Sequence, residues 1–294
     1  DSVGDSEDPG SNMSAMIDII EQKGYSAIWQ VIDCSEYFLP QSRRRMYIVC
    51  VKIGLQDDHF GERWFAAMEV CKGQALPMDC MLLADGDTCL ENELARRRTL
   101  FAELRSAEAT LEKGGVKWIS EHMKVAESLG VSWPFAVPPS LAGNEWFSLR
   151  PQRERESLIM GTFNNEVSRD SSQSCHRARG TFGPILGTMM PSQHTWLYQH
   201  QRPLLGREAL SFQGYPWPKL VAVDAFSDAQ LGDLAGNAFA STAYMAVLMS
   251  MMAAWKPLPK AECPEVVAAF DLFRVLDSVS GNADDADDVG SDVD

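Results

Sequence analysis

The chain reads RPLLGREALSFQGYP from Arg202 to Pro216. The apolar residues between Gly206 and Phe212 have the spacing of a short amphipathic helix. Gly214 lies just past the end of this helix, and Pro216 prevents its continuation. The stretch therefore predicts a seven-residue helix with a defined stop.

The charged residues of this stretch admit two interpretations. Arg202, Arg207 and Glu208 can pair with one another or hold a neighbouring segment in register. The alternative is a capped surface helix whose ion pairs contribute little to stability. The charged residues alone do not distinguish an organising role from a capped surface helix, so the rest of the sequence is needed.

Composition indicates a globular protein with acidic ends. Hydrophobic residues make up 45% and charged residues 23% of the 294 positions, enough for one large or two medium domains. The net charge is −15, but four acidic residues lie in the first eight positions and seven in the last eighteen. The body between them carries only −4. A local basic face for nucleic acid therefore remains compatible with the sequence.

The seven cysteines are scattered and form no Cys-x-x-Cys pair. This usage favours a reducing compartment and argues against a disulfide framework. The five histidines have no metal-ligand spacing, so no metal site is predicted. The apolar run from Phe239 to Trp255 is shorter than the roughly 20 residues of a membrane span. It predicts a core helix and no membrane partner.

The first third of the chain predicts a helix and two strands. The helix extends from Ser14 to Lys23, and the strands cover Tyr25 to Ile32 and Met46 to Val51. The second strand is an apolar run of the kind buried on both faces of a sheet. A helix followed by two neighbouring strands suits the end of a doubly wound sheet, including its antiparallel closing strand.

The middle of the chain has a different character. Helical stretches dominate residues 54–161, whereas residues 163–201 are predicted to be irregular. We interpret the region as an inserted, helix-rich domain. The further predicted helices are Glu62–Cys71, Leu90–Lys113, Val116–Leu129, Ser227–Leu234, Ser241–Trp255 and Pro264–Leu276, before an acidic, disordered tail at 280–294.

A basic cluster precedes the second strand, in the order Gln41-Ser42-Arg43-Arg44-Arg45. Alternate residues of an extended chain point to the same side, so Arg43 and Arg45 are expected to share a face. Fixed guanidinium donors suit phosphate or a carbonyl oxygen that gains electron density. A solvated basic strand end is the alternative.

Two further segments carry candidate binding residues. Gly236-Asn237-Ala238 lies between two predicted helices, where an amide and free N–H groups can hold a carboxylate or hydroxyl. A plain turn is the alternative. The polar loop from Ser171 to Arg179 suits phosphate and base-edge contacts, although a flexible surface loop would have the same composition.

In combination, the three patterns resemble a known family. The segments at Gln41–Arg45, Arg202–Pro216 and Gly236–Ala238 are similar, in order, to motifs VIII, IX and X of the cytosine-5 DNA methyltransferases. The gap of 157 positions from Arg45 to Arg202 corresponds to the place where that family inserts its target recognition domain.

The resemblance implies an α/β fold, the C-terminal portion of a Rossmann-like S-adenosylmethionine-dependent methyltransferase sheet with an inserted, helix-rich target recognition domain. Residues 1–53 would end the catalytic domain, and 54–195 would be the recognition insert. Residues 196–258 would return to the catalytic domain with motifs IX and X. A C-terminal helix at 259–279 and the acidic tail at 280–294 would follow.

The resemblance also implies a mechanism. A cytosine is flipped out of duplex DNA, a cysteine thiolate attacks C6, and C5 takes a methyl group from S-adenosylmethionine. By position, Arg45 corresponds to the arginine that bonds the cytosine O2. Arg43 corresponds to its partner near the DNA backbone and the catalytic loop. Asn237, with Ala238 and Gly236, resembles the motif that closes over the cofactor.

The remaining candidates would bind DNA or organise the fold. DNA contacts are expected from Gln41, Gln173, Arg177 and Arg179. The motif IX residues are expected to organise the recognition domain without taking part in the chemistry, and they are Arg202, Arg207, Glu208 and Gln213.

Some of the family's motifs do not occur in the sequence. It contains no Phe-x-Gly-x-Gly, no Pro-Cys-Gln nucleophile loop and no Glu-Asn-Val. Cys34 precedes motif VIII and is interpreted as a buried strand-end thiol. The chain, which starts at Asp1 and not at Met, is therefore expected to be a fragment that needs the missing N-terminal half of the catalytic domain and is inactive alone. By its family it is expected in the nucleus.

Two other functions remain open. One is a catalytically inactive homologue that acts as a DNA-binding or regulatory partner. The other is the tRNA-methylating branch of the family, which the long helical insert disfavours. A fragment also has a structural consequence: its two strands should show an unpaired sheet edge, and the helix from Ser241 to Trp255 an uncovered apolar side.

Overall fold

The computed structural model describes residues 12–55, 59–108, 117–173, 175, 180–215 and 225–256. The fold is mixed α/β. The chain divides into two compact units. The first contains Asp1–Gln30, Ile48–Ala67 and Ser250–Asp294, and the second contains Val31–Tyr47 and Met68–Met249. The predicted domain boundaries at 53, 195 and 258 stay a prediction.

A helix and a strand pair begin the described chain. Helix α1 (Asn12–Gln22) is followed by strands β1 (Tyr25–Asp33) and β2 (Arg44–Lys52), which form a two-stranded sheet. Backbone bonds from Ile53 N to Gly24 O and from Cys34 N to Arg43 O close the two ends of the pair, which is therefore antiparallel. The predicted helix and both strands are confirmed. Among the described residues, no third strand joins this sheet, as expected for an unpaired edge.

The first unit packs around helix α2 (Phe60–Val70). Phe60 contacts Trp255 edge to face with ring centroids 6.4 Å apart. Arg63 Nε donates to the carbonyl of Ala254 over 3.0 Å. A Cβ added at Gly61 would lie 3.3 Å from Ile28 Cγ2. Helix α2 thus packs closely against β1 inside this unit.

Four helices lie in the middle of the chain. Helices α3 (Thr88–Glu108) and α4 (Lys117–Ser128) occur close to their predicted positions. Helices α5 (Glu145–Ser148) and α6 (Gln152–Phe163) were not predicted. Helix α6 is central to the core, because its fully buried Leu158 and Met160 pack in one cluster with Trp196.

A small sheet corrects the prediction that residues 163–201 are irregular. Strands β3 (Ser168–Asp170), β4 (Thr195–Leu197) and β5 (Arg202–Pro203) form an antiparallel sheet in the order β3-β4-β5. Strands of two or three residues are too short to show the alternation by which a strand is recognised in a sequence.

The C-terminal helices follow the prediction closely. Helix α7 (Gly206–Phe212) has the predicted bounds, and α8 (Asp228–Asn237) is capped by Ser227, whose hydroxyl accepts from Gln230 N. Helix α9 (Ser241–Ala254) completes the set. Helices α7 and α8 build one hydrophobic cluster with the segment around Leu186. Pro216, the predicted helix Pro264–Leu276 and the acidic tail lie outside the described residues.

The segment Asp228–Ala254 is long and apolar enough to cross a membrane by length and composition alone, and 33% of its most apolar window is buried. Its backbone leaves the helical conformation at Ala238, where ψ is 153°. The expected core helix is only half buried: Ala243, Ala246, Val247 and Ser250 are covered, whereas Tyr244, Met245 and Met249 are exposed. The predicted uncovered apolar side is confirmed.

Candidate functional site

The motif IX segment is organised by a buried ion pair. Arg202 donates from Nη2 and Nη1 to Glu208 Oε1 and Oε2 over 2.7 and 2.8 Å. The side chain of Glu208 has no exposed surface and that of Arg202 is 5% exposed. Such two-point pairs between guanidinium and carboxylate fix geometry as well as charge. Arg207 is half-buried and takes no part in this pair.

Glu208 also satisfies two backbone groups. Its Oε2 accepts from Leu205 N at the start of α7, and its Oε1 accepts from Leu83 N, both over 2.8 Å. One carboxylate therefore joins β5, the first turn of α7 and the segment before α3. This geometry is that of a structural organiser, and it leaves no oxygen of Glu208 open to solvent.

Gln41, at the start of motif VIII, is fully buried. In the orientation that satisfies its neighbours, its amide oxygen lies 3.0 Å from Met189 N and its amide nitrogen lies 3.3 Å from Phe212 O. The same nitrogen lies 3.3 Å from the Gln213 amide, which is also fully buried. The expected DNA contact of Gln41 is corrected accordingly: the side chain joins motif VIII to motif IX.

Arg43 is likewise part of the interior. Its Nη1 donates to Met189 O over 2.7 Å and its Nη2 donates to Gly236 O over 3.1 Å. Burial, and next the charge of Arg45, lower the pKa of Arg43. Both terminal nitrogens are held by carbonyls of the protein. The expected place of Arg43 near the DNA backbone and the catalytic loop stays a prediction.

Arg45 differs from Arg43 in its surroundings. Strand β2 begins at Arg44, so the alternation within a strand does not extend back to Arg43. Arg45 is exposed, and its Nη1 donates over 2.9 Å to the carbonyl of Arg44. Among the described residues, no carboxylate pairs with its guanidinium group. The sequence thus places one buried and one exposed arginine two positions apart.

The motif X residues lie at the C-terminal end of α8. Gly236 is buried, and a Cβ added there would overlap the backbone of Met190 and Pro191. Asn237 is exposed and its Nδ2 donates to Asp233 O over 3.0 Å. Ala238 is the C-cap, and its N–H donates to Ala235 O. The N–H groups of this segment therefore lie at the end of a helix. The sequence suggested a position at the start of one.

The end of motif IX is bonded to the start of α9. Ser241 donates from its backbone N to Gln213 O over 2.8 Å and from its Oγ to Gly214 O over 2.9 Å. Gly214 has φ of 81°, and a Cβ at this position would overlap Ser241 Oγ. Thr242 Oγ1 then donates to Tyr37 O over 2.6 Å. The glycine of motif IX is therefore required both for its backbone conformation and for this close approach.

The polar loop is described only in part. Ser171 is buried, and its hydroxyl donates to Glu154 Oε2 and His194 O over 3.1 Å each. Gln173 is exposed and remains a candidate for a DNA contact. Arg177 and Arg179 lie outside the described residues.

Cys34 is confirmed as a buried thiol. Its Sγ donates to Gln41 O over 2.9 Å. Burial, with a smaller contribution from the charge of Asp33, raises the pKa of Cys34 to about 11. A thiol with such a pKa stays protonated near neutral pH, so Cys34 is unsuited to act as the nucleophile.

The sequence did not reveal a buried cluster around Glu154 on α6. Glu154 accepts from Arg150 Nη1 over 3.1 Å and lies 3.0 Å from His194 Nδ1. One available signal was Pro151, because proline directly before a run of helix-forming residues is a common start of a helix. The contribution of His194, forty positions away, has no local signal.

The family model of the C-5 cytosine-specific DNA methylases matches residues 5–252. A "DNA (cytosine-5-)-methyltransferase DMT5" of Cryptococcus neoformans var. grubii is 25% identical over 287 residues, which cover 88% of this chain and 12% of the relative. The protein of the same name from Verticillium dahliae is 24% identical over 273 residues, which cover 81% of this chain and 11% of the relative. This chain thus spans about an eighth or less of the length of these relatives. It belongs to the family of C-5 cytosine-specific DNA methylases.

Proposed function

We propose that the chain is the part of a DNA (cytosine-5)-methyltransferase that carries motifs VIII to X. The full enzyme would transfer a methyl group from S-adenosylmethionine to C5 of a flipped-out cytosine in DNA. The family match and the names of the two fungal relatives support this proposal. The sequence contains no Pro-Cys-Gln, so the nucleophilic cysteine would come from residues outside these 294. A nuclear location is part of the same proposal.

The observation that carries the proposal is the contrast between Arg43 and Arg45. Gln41 and Arg43 hold motif VIII against motifs IX and X through buried bonds. Arg45 extends from this rigid segment into solvent. A catalytic group works best when its supports are fixed, because no reorganisation is then needed at the moment of reaction. Arg45 is therefore the group we assign to the cytosine O2.

The motif X residues fit the cofactor only in part. Asn237 has an exposed amide whose oxygen makes no hydrogen bond within the described residues, so it can accept from a cofactor hydroxyl or amino group. Gly236 cannot line the same space, since its Cα packs against the backbone of Pro191. S-adenosylmethionine, when bound, supplies the methyl group. Asn237 would hold the cofactor, and Gly236 would position Asn237.

The decisive experiment measures methyl transfer by the full-length gene product that contains this chain, with labelled S-adenosylmethionine and duplex DNA. Arg45→Ala should lower kcat by roughly 100- to 1,000-fold, because one donor to the developing charge is lost. The matched control is Arg44→Ala, an exposed arginine one position earlier. An equal loss of kcat in both variants would contradict the assignment of Arg45. If the unmodified full-length protein methylated no substrate, the proposed enzymatic function would be contradicted.

The same material separates the two alternatives. A regulatory homologue would bind duplex DNA with a steep salt dependence and would not bind S-adenosylmethionine. A tRNA-methylating enzyme would prefer tRNA when tRNA and duplex DNA compete in one reaction. We expect cofactor binding and a preference for duplex DNA.

A further inference from the structure

A cavity of about 430 Å³ lies in the second unit, and none of the motif VIII residues lines it. Its walls come from α3, α5, α6, the segment 189–195, α7 and α8. A volume of this size lies within the usual range of small-molecule sites in proteins. None of the roles proposed above uses this space.

Among the polar groups of the cavity, Arg150 gives the first indication of a ligand. The residue is only 8% exposed and lines the cavity. Its Nη1 donates to Glu154 Oε2 over 3.1 Å. Within the described part of the chain, its Nε and Nη2 donate to no acceptor. The Nε–Nη2 edge of a guanidinium group matches the two oxygens of a carboxylate.

Arg97 adds positive charge at the same place. Its guanidinium group lies 5.5 Å from the ring centroid of Trp146, and both residues line the cavity. Burial, followed by the charge of Arg97, lowers the pKa of Arg150 to about 10. The neighbouring Glu154 offsets these effects only in part. An anion beside Arg150 would offset the positive charge that Glu154 leaves uncompensated.

The acidic groups of the cavity limit the charge that it can accept. Asp228 accepts from Gly206 N over 2.6 Å, and Asp233 accepts from Ser192 N over 2.6 Å. Glu154 is occupied by Arg150, His194 and Ser171. Three acidic residues and three arginines line the cavity, but Arg96 and Arg97 are both bonded to Glu93 outside it. Within the described residues, Arg150 alone of these arginines keeps an unoccupied Nε–Nη2 edge, which suits a single carboxylate and disfavours a dianion.

The rest of the wall is largely apolar and includes Leu100, Phe101, Leu149, Met190 and Leu204. We propose that this cavity binds a small organic monoanion with an aromatic or aliphatic body and one carboxylate, and that the carboxylate is held by Nε and Nη2 of Arg150. The body lies against the ring of Trp146 and the aliphatic wall. None of the residues assigned above to DNA or cofactor lines the cavity, so the proposal does not depend on the proposed methyl transfer.

Calorimetric titration of the 294-residue chain tests this proposal with indole-3-acetate as the probe. Indole-3-acetamide has the same shape without the charge, and phenyl phosphate carries a second charge. We expect saturable binding of the carboxylate, with at least roughly tenfold weaker binding of the amide, since hydrogen bonds to charged groups are worth more than neutral ones. Phenyl phosphate is also expected to bind more weakly.

Two variants and one control locate the site. Arg150→Met combined with Glu154→Gln removes the anchor without leaving an unpaired buried carboxylate, and should weaken binding at least roughly tenfold. Gly232→Phe fills the cavity from α8, where an added Cβ meets no atom within 4 Å. Arg153→Met is the control, because Arg153 lies on the same helix as Glu154 but does not line the cavity.

The proposal is overturned if the carboxylate shows no saturable binding, or if the amide or the phosphate binds as tightly. It is also overturned if the cavity-filling variant, shown to be folded by circular dichroism, binds like the unmodified chain. Loss of binding in both cavity variants with retention in Arg153→Met supports it.

Discussion

Buried charges fix the central segment of this protein residue by residue. Glu208, Arg43 and Arg150 all lie inside the second unit, and each bonds to a group distant in sequence or to a neighbouring element. Their burial costs free energy that their partners must offset. The arrangement is therefore specific, because removal of one partner leaves the other as an unpaired buried charge.

Glu208→Gln should strongly destabilise the chain. The substitution keeps the shape of the side chain but leaves Arg202 as a buried cation without a counter-ion. We expect a loss of about 3–5 kcal/mol in the free energy of unfolding, measured by urea denaturation.

The control for this prediction is Glu145→Gln, which removes the carboxylate of the exposed pair Arg98–Glu145. Its denaturation midpoint should stay unchanged, since exposed pairs contribute little. The double variant Arg202→Met with Glu208→Gln should recover part of the stability lost in Glu208→Gln, because it removes the unpaired buried cation while the amide oxygen can still accept from a backbone N–H. A loss of similar size in the Glu145 and Glu208 variants would show that burial does not decide the effect.

Arg43 and Arg45 show how much of the site the sequence can predict for single residues. The pattern Gln41-x-Arg43-x-Arg45 marks the segment, and the role expected of the exposed Arg45 stays a prediction. It could not reveal that Arg43 is buried, because its partners are the carbonyls of Met189 and Gly236, 146 and 193 positions away. A backbone carbonyl has no identity in the sequence, so contacts of this kind have no signal.

Helix α8 contains two glycines with opposite roles. A Cβ at Gly236 would overlap the backbone of Pro191, whereas a Cβ at Gly232 meets no atom within 4 Å. Gly232→Ala should therefore raise the free energy of unfolding by about 0.5–1 kcal/mol, the usual gain in helix propensity. Gly236→Ala should lower it, because the backbone cannot move aside as a side chain can. Urea denaturation of both variants measures the difference, and equal effects would contradict the packing.

Helices α3 and α8 are joined by a charged cluster that should respond to acid. Burial alone would raise the pKa of Glu93, but hydrogen bonds from Arg96 and Arg97 and their charges lower it below its ordinary 4.5. Arg97 in turn lies 3.3 Å from Asp228 on α8. A lowered pKa in the folded state means that the stability from Glu93 is present above pH 4.5 and is lost as the pH falls through the lower value.

Glu93→Gln should flatten the acid side of the stability profile. Urea denaturation at a series of pH values below 5 provides the measurement, and the unmodified chain should lose more stability over this range than the variant. Glu91→Gln, an exposed residue of the same helix, serves as the matched substitution. A variant profile that falls as steeply as that of the unmodified chain would contradict the role of Glu93.

Elements were predictable where their signals are local. Helix α7 has the predicted bounds because Gly214 ends it, and α8 begins after Ser227 as a capped helix should. Helix α6 was missed although Pro151 precedes it, because its apolar residues Leu158, Ile159 and Met160 are contiguous and do not follow a helical stripe. The three short strands could not be predicted, because two or three residues show no alternation. In addition, β3 pairs with β4 across 25 to 29 positions of sequence.

The molecule as a whole presents an apolar surface on α9. Tyr244, Met245 and Met249 are exposed in the second unit, and Phe239 stacks on Tyr244 with ring centroids 6.0 Å apart. In the proposed function this surface would be covered by the part of the catalytic domain that carries the nucleophile. Contiguous exposed apolar surface is uncommon in a protein that works alone.

Met245→Ser combined with Met249→Ser should leave the free energy of unfolding within about 0.5 kcal/mol of its original value, because both side chains are exposed. Binding of the dye anilinonaphthalene sulfonate should fall, since it reports apolar surface. Val247→Ser, on the buried side of the same helix, should cost roughly 1–3 kcal/mol. A cost of that size for the methionine pair would show that this surface is already covered.

The two bonds of Arg43 also govern the order in which the second unit can assemble. They close chain segments of 146 and 193 positions, and closure over such distances slows folding because chain entropy is lost before any contact repays it. Helices α6, α7 and α8 can form from local contacts, whereas the segment before β2 can dock only after the Met189 and Gly236 carbonyls are both in place. The arginine cluster that resembles motif VIII would thus be among the last parts of this unit to reach its native position.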